Sequence, residues 1–497
     1  AGDKPPRYGT RNPRPPPAIQ VAYSQRTYAL RGESVSRWVI KLGGAVVVAL
    51  LLASGALSAA GVWSLSGVKR ALPAPWSSTN GDLQRRYAAA VPPPWSNTDD
   101  VIARMQARLR SDSKDERSYT LLGEAYEQKA REVGDPTYYS KADAVLQQAR
   151  KLQPNDAEAI AGLGSLALER HQFQEALRLG QQARALDPYN AGVLGIVSDA
   201  YVQLGQDDAA VQTTQAMVNL RPDLSSYSRV SYLRELHGDI PGAIEAMQQA
   251  AAAGGPAPEN AAWTYWQLGT LYFNQGDLDA SQREFERALV VFPRYVHGEA
   301  GIAMVAAARG DYQGAIAHYT TAIDVMPWPA YVINLGDVYA AAGRPDDAAR
   351  QYGLVDAMER LFQANGVNVD AELSLFDADH HRRLPQAIVL ARQNAKERPS
   401  VMAEDALAWT LYQSGECRAA ADAARDAMRL GTKLPLMLFH AGMISRCEGD
   451  NASALAYLNQ TTALNPHFSV LYDGVAERTL SDLRAAVPVA AVAVGGH

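Results

Sequence analysis

The sequence predicts an all-α protein: an elongated α-solenoid of about ten helix-turn-helix repeats with one N-terminal transmembrane helix. Three observations carry this expectation. Pro154, Pro188 and Pro222 stand 34 residues apart, and so do Pro293 and Pro327. Between them small residues and alanines return at matching places. Finally, residues 42–68 run for 27 positions without a charged side chain.

Residues 261–293, AAWTYWQLGTLYFNQGDLDASQREFERALVVFP, show the repeat most plainly. At helical spacing they form two amphipathic helices folded back on each other. Leu268, Leu271 and Tyr272 mark one apolar face, and Phe285, Ala288 and Leu289 mark the other. Gly276-Asp277 supplies the turn, Pro293 stops the second helix, and Gly269 and Ser281 are small where the two helices cross. This stretch resembles a tetratricopeptide (TPR) repeat, and the resemblance implies a right-handed superhelix. A hairpin of this size cannot bury its own apolar face, so neighbouring hairpins must cover it.

The rest of the chain supplies them. The small position returns as Gly123, Gly164, Ser198, Ser231, Ala303, Gly336, Ala408 and Gly442. The second-helix alanine returns as Ala142, Ala176, Ala210, Ala243, Ala315, Ala348, Ala387, Ala420 and Ala454. Pro399 and Pro466 close two further units, so the array is expected over 115–466. The eighth unit is the least regular. Two breaks, near 251–260 and 356–366, lengthen the joints and should alter the superhelical path.

The formal charge is −6, but it is unevenly spread. Residues 1–41 carry eight Lys and Arg against Asp3 and Glu33, which leaves an acidic remainder. Phosphate affinity comes from Lys and Arg, so an acidic repeat body argues against nucleic acid as a partner. The two cysteines, Cys417 and Cys447, fall near the helix turns of adjacent repeats. They read either as a possible disulfide or as two small thiols, because spacing alone does not set the Cα separation a bridge needs.

Ahead of the array, residues 1–37 form a basic tail rich in Pro and Arg, with no apolar period and a polyproline II bias at Pro15–Pro17. Residues 38–68 are expected to be the membrane helix, since roughly 20 apolar residues span a bilayer. Trp38 and Trp63 stand near its ends. Flanking basic charge favours a cytoplasmic N-terminus, which makes this a single-pass cell-membrane protein with an extracytoplasmic array and membrane lipids near its tail. Ser54, Gly55, Ser58 and Ala59 are small residues four apart, the pattern that lets a second helix pack closely in a membrane. Residues 69–98 form a Pro/Trp linker in which Pro75-Trp76-Ser77 returns as Pro94-Trp95-Ser96. Residues 99–114 are expected to form a capping helix, with an N-cap oxygen drawn from Ser96-Asn97-Thr98. Residues 467–497 read as a C-terminal cap and tail.

Phosphate-binding glycine loops, Cys-x-x-Cys pairs and His-Glu-x-x-His are all missing from the sequence, so no enzyme activity and no cofactor or metal is expected. The densest polar run, Asp377 to Arg383, contains metal-ligand types, but adjacent histidines on a helix diverge by about 100°. It reads as a solvated turn. In TPR proteins the first helix of each repeat lines a concave groove that holds partners. Register places Arg229, Tyr232, Trp263, Trp266, Thr270 and Phe273 there, followed by His297, Met304, Ile333, Asn334 and Asp337. Aromatic anchors of this kind dominate interfaces, although Trp263 and Trp266 could equally pack against a neighbouring repeat. Asn334 stands where some TPR domains grip a C-terminal carboxylate, yet the accompanying lysines and arginine are missing. The resemblance therefore implies a scaffold or accessory subunit that binds other protein subunits in a membrane-associated complex. The alternative is a receptor-like module that holds a peptide, glycan or small ligand in its groove.

Overall fold

In a computed structural model the described residues are 97–254, 257–364 and 370–486. They form twenty-two α-helices and, among the described residues, no strand. Helix α1 (Thr98–Ser111) is capped by the Asn97 side chain, which accepts from the Asp99 amide. Ten helical hairpins follow. The first four are α2 (Glu116–Val133) with α3 (Thr137–Leu152), α4 (Ala157–Glu169) with α5 (Phe173–Leu186), α6 (Ala191–Gln203) with α7 (Asp207–Leu220), and α8 (Leu224–Leu236) with α9 (Ile240–Ala253). The middle three are α10 (Pro258–Asn274) with α11 (Leu278–Val291), α12 (Val296–Ala308) with α13 (Tyr312–Val325), and α14 (Pro329–Ala341) with α15 (Pro345–Ala364). The last three are α16 (Asp370–Asp379) with α17 (Leu384–Glu397), α18 (Val401–Gln413) with α19 (Cys417–Ala427), and α20 (Pro435–Cys447) with α21 (Asn451–Leu464). Helix α22 (Asp473–Ala486) closes the order.

The two helices of a hairpin differ for a physical reason. A first helix lies between its partner and the neighbouring hairpins, so α4 buries every residue from Ala159 to Glu169. A second helix faces outward and buries only a stripe, Phe173, Ala176, Leu179, Gly180 and Ala183 in α5. Side-chain oxygens of Asp156, Asn190 and Asp223 cap first helices by accepting from their opening amides. Gly269 permits the close crossing of α10 and α11, since a Cβ there would lie 2.5 Å from the Phe285 ring.

The coil closes on itself. The turn inside the third hairpin meets the loop after the eighth, where Arg429 donates both to the Pro399 carbonyl (3.1 Å) and to Asp207 (3.0 Å). One hairpin further on, Thr432 Oγ1 donates to the Leu236 carbonyl at 2.6 Å. One further again, Asn465 Nδ2 donates to the Phe273 carbonyl at 2.7 Å. Each contact joins the inner turn of one hairpin to the loop about five hairpins later, so successive superhelical turns stack edge to edge. One hydrophobic core accordingly gathers Leu146, Phe173 and Ile196 from early hairpins with Ile316, Tyr331 and Phe376 from later ones. Helix α9 ends at a Gly254 cap ahead of α10, and α15 runs to 20 residues.

One expectation is corrected. Among the described residues no helix is long and apolar enough to cross a membrane. The physical reason is visible in α15, the longest, whose 20 residues include Asp346, Asp347, Arg350, Asp356, Glu359 and Arg360. The single-pass cell-membrane localisation with an extracytoplasmic array therefore does not stand. Residues 38–68, including Ser54, Gly55, Ser58 and Ala59, lie outside the described residues, as do the basic tail, nearly all of the linker and residues 487–497.

Two glycines with the same backbone conformation separate the edge contact from ordinary turn strain. Gly205 (φ +65°) faces Pro399, so a Cβ would sit 2.5 Å from that carbonyl oxygen; Gly343 (φ +73°) has nothing within 4 Å. Gly343→Ala should cost about 1–2 kcal/mol of stability from the left-handed backbone alone. Gly205→Ala should cost about 1–3 kcal/mol more, because backbone must move to admit the methyl group. Urea unfolding of both variants checks this, and equal losses would show that the edge contact contributes nothing.

Candidate functional site

Stacking the turns leaves a cavity of about 190 Å³ inside the coil. One wall comes from the middle hairpins. Trp266, Thr270 and Phe273 of α10 reach it, together with His297 and Met304 of α12 and Asn334 and Asp337 of α14. The facing wall comes from Glu372 and Asp379 of α16, Met402 and Asp405 of α18 and Met437 of α20. The third side is the chain segment that leaves α21, residues 467–472.

Four of the residues placed in the groove by register sit elsewhere. Arg229 is fully buried against Asp199, with Nε donating at 2.9 Å and Nη2 paired to the second carboxylate oxygen. Tyr232 is buried among Val230, Leu233 and Met437. Trp263 packs with Ala262, Met247 and Phe285, and Ile333 lies in the main core. Closure of the coil converts a face that would be open into interior, so these side chains pack instead of facing solvent.

Aromatic rings dominate the first wall. The His297 ring centroid lies 5.2 Å from that of Trp266, 5.4 Å from Trp328, 5.0 Å from Tyr295 and 5.9 Å from Tyr331. Its Nδ1 is hydrogen-bonded to the Tyr331 hydroxyl. Burial pushes the His297 pKa down to about 4, so the ring is neutral at pH 7. Asn334 Nδ2 donates to the Tyr319 hydroxyl at 3.1 Å.

Carboxylates stand on both walls, Asp337 on the first and Glu372, Asp379 and Asp405 on the facing one. Asp337 accepts from His380 Nε2 at 2.9 Å and from the Tyr352 hydroxyl at 2.8 Å. Burial disfavours the charged His380 ring, but the Asp337 hydrogen bond and charge outweigh it and raise the His380 pKa. Asp379 accepts from the Trp409 indole at 2.7 Å and the Tyr472 hydroxyl at 2.9 Å. Asp405 is bridged by His440 Nδ1 at 3.0 and 3.1 Å. The run from Asp377 to Arg383 is a turn only partly solvated: His381 and Arg383 are exposed, but Asp377 is 1% exposed and ion-paired to Arg383, and His380 reaches across to another hairpin. The residues 467–472 also escaped the sequence reading as a wall. Tyr472 stacks on Phe439 at 5.0 Å, and Phe468 lies 5.3 Å from the same ring. Only the aromatic spacing of Phe468 and Tyr472 hinted at it. Cys417 and Cys447 are bonded to each other, with Cα atoms 5.6 Å apart, and staple the ninth hairpin to the tenth. Among the described residues no group of three or more His, Cys, Asp or Glu is arranged to hold a metal ion.

Tetratricopeptide-repeat family models match residues 167–235, and also 138–191, 267–325 and 301–357. The matched stretches, within 138–235 and 267–357, are thus tetratricopeptide repeats. It is similar to a CTR9 homolog of Arabidopsis thaliana, 26% identical over 160 residues. That match covers 31% of this chain and 15% of the relative. Among solved structures it is similar to a thermophilic TPR protein of Thermus thermophilus, with 22% identity, TM-score 0.34 and coverage of 38% of this chain and 98% of that one. It is also similar to a human IFIT1 dimer with PPP-AAAA, with 13% identity, TM-score 0.40 and coverage of 74% and 94%. None of these three carries a function to this chain.

Glu235, at the end of α8, has its carboxyl pushed up to about 7 by burial, while the Asn274 amide works in the opposite direction. The folded pKa lies above the unfolded value of about 4.3. The folded TPR array therefore holds a proton that the unfolded chain releases, and this group's contribution is full at low pH and lost as pH rises through 7. Glu235→Gln should stand level with the parent near pH 3.5, below the unfolded pKa, and be more stable at pH 8. Urea unfolding at the two pH values tests this; equal slopes with pH would defeat it.

Proposed function

We propose that the chain is a scaffold or accessory subunit that holds protein partners within a larger assembly, and that it acts by binding and not by catalysis. TPR repeats supply the general reading, because stacked hairpins make a stiff surface for other proteins. The observation that carries the specific one is the convergence of Trp266, Phe273, Met304 and Asn334 on the interior cavity. These residues come from three successive first helices, which TPR proteins use for contact. Large aromatic and Met side chains beside a polar amide are the composition of an interface anchor.

The test uses the full chain, tagged and recovered from its native source under mild conditions. A partner should be retained in fixed ratio by the parent chain. Met304→Lys and Asn334→Lys should each lose it about tenfold or more, a change of about 1.4 kcal/mol or more in binding. Their thermal unfolding should stay near that of the parent. Retention by both folded variants, or recovery of the chain alone, would rule out binding at this wall.

A further inference from the structure

We propose that the cavity selects a cation: an ammonium or guanidinium group, presented either on the Lys or Arg side chain of a partner protein or on a free small amine. This deepens the binding reading above and rests on it only for the source of the cation. Size comes first. A cavity of about 190 Å³ takes one small organic group, since an apolar cavity of about 150 Å³ holds benzene. The end of one long side chain fits such a space.

Wall chemistry then chooses the sign of the charge. Trp266, Trp328 and Tyr331 line the cavity around a neutral His297. Ring faces attract a cation, and most strongly where water is excluded. Asp337, Glu372, Asp379 and Asp405 also line the cavity, against one guanidinium, Arg398, whose charge lies over the Phe173 ring at 5.6 Å. Counting a charged His380 beside Asp337 still leaves the carboxylates in the majority. His440 and His467 are the other titratable groups close by, and His440 is held by Asp405. An anion entering here would meet like charge from several sides, which is the reverse of a carboxylate-gripping TPR groove. A neutral ligand would gain the ring contacts but leave the field of the carboxylates unused.

The experiment is a calorimetric titration of the full chain with n-butylamine and, as the neutral match, 1-butanol. The amine should bind about tenfold more tightly than the alcohol, a difference of about 1.4 kcal/mol. Trp328→Leu and Glu372→Gln should each remove most of that preference. Because Trp328 is buried, its variant counts only if its thermal unfolding is unchanged; Glu372→Gln keeps the shape and serves as the control. Equal affinity for amine and alcohol, or no saturable binding of the amine, overturns the proposal. The source is read from the native assembly of the preceding section. If saturating butylamine releases the partner, the partner's own side chain is the cation. If the amine binds while the partner stays, or where no partner is recovered, the cation is a free amine. The titration needs no partner, so the cavity proposal and the scaffold reading fail separately.

Discussion

The structure depends on a few hydrogen bonds made where two edges of the coil meet. A helical-repeat array exposes backbone carbonyls along both edges, at the turns inside hairpins and at the loops between them, and water normally satisfies them. Here the Leu236 and Phe273 carbonyls instead receive Thr432 and Asn465 from hairpins nearly 200 residues later in the chain, 196 and 192 respectively. Those donors are themselves buried, so the contacts are dry, and losing one partner would strand the other without water. Arg429, paired with Asp207, extends the same seam.

Closure has consequences that reach the interior. Repeat arrays are ordinarily held by contacts between neighbours alone, and their stability is close to a sum along the chain. Edge contacts five hairpins apart add cross-links to that sum and join early and late hairpins in one core. The concave face then stops being a groove. Arg229, Tyr232, Trp263 and Ile333 become packing residues, and what remains accessible is a small aromatic and acidic cavity closed on its third side by residues 467–472.

Much of this was legible in the residues. The 34-residue spacing of prolines, the small residue at each helix crossing and the turn glycines all reflect local demands: a backbone that must stop, approach closely or turn left-handed. Gly269 against Phe285 is such a case. The positions that reach the cavity were found by the same register, since Trp266, Phe273, His297, Met304, Asn334 and Asp337 follow from where first helices point. The facing wall was not legible. His380 bonds to Asp337 across 43 residues and Tyr472 to Asp379 across 93, and no local pattern marks either pair. The uncharged run at 42–68 was read as an anchor on its length, its hydropathy and the tryptophans near its ends, and no described helix has that character.

By itself, then, the sequence determined the repeat, its helices and the order in which they stack, because each hairpin is specified by contacts within about forty residues. Tertiary structure alone decided how tightly the coil winds. That quantity is the accumulated sum of small rotations at every hairpin joint. Small differences at each joint separate an open groove from a closed coil, and with it a broad docking face from a cavity the size of one side chain.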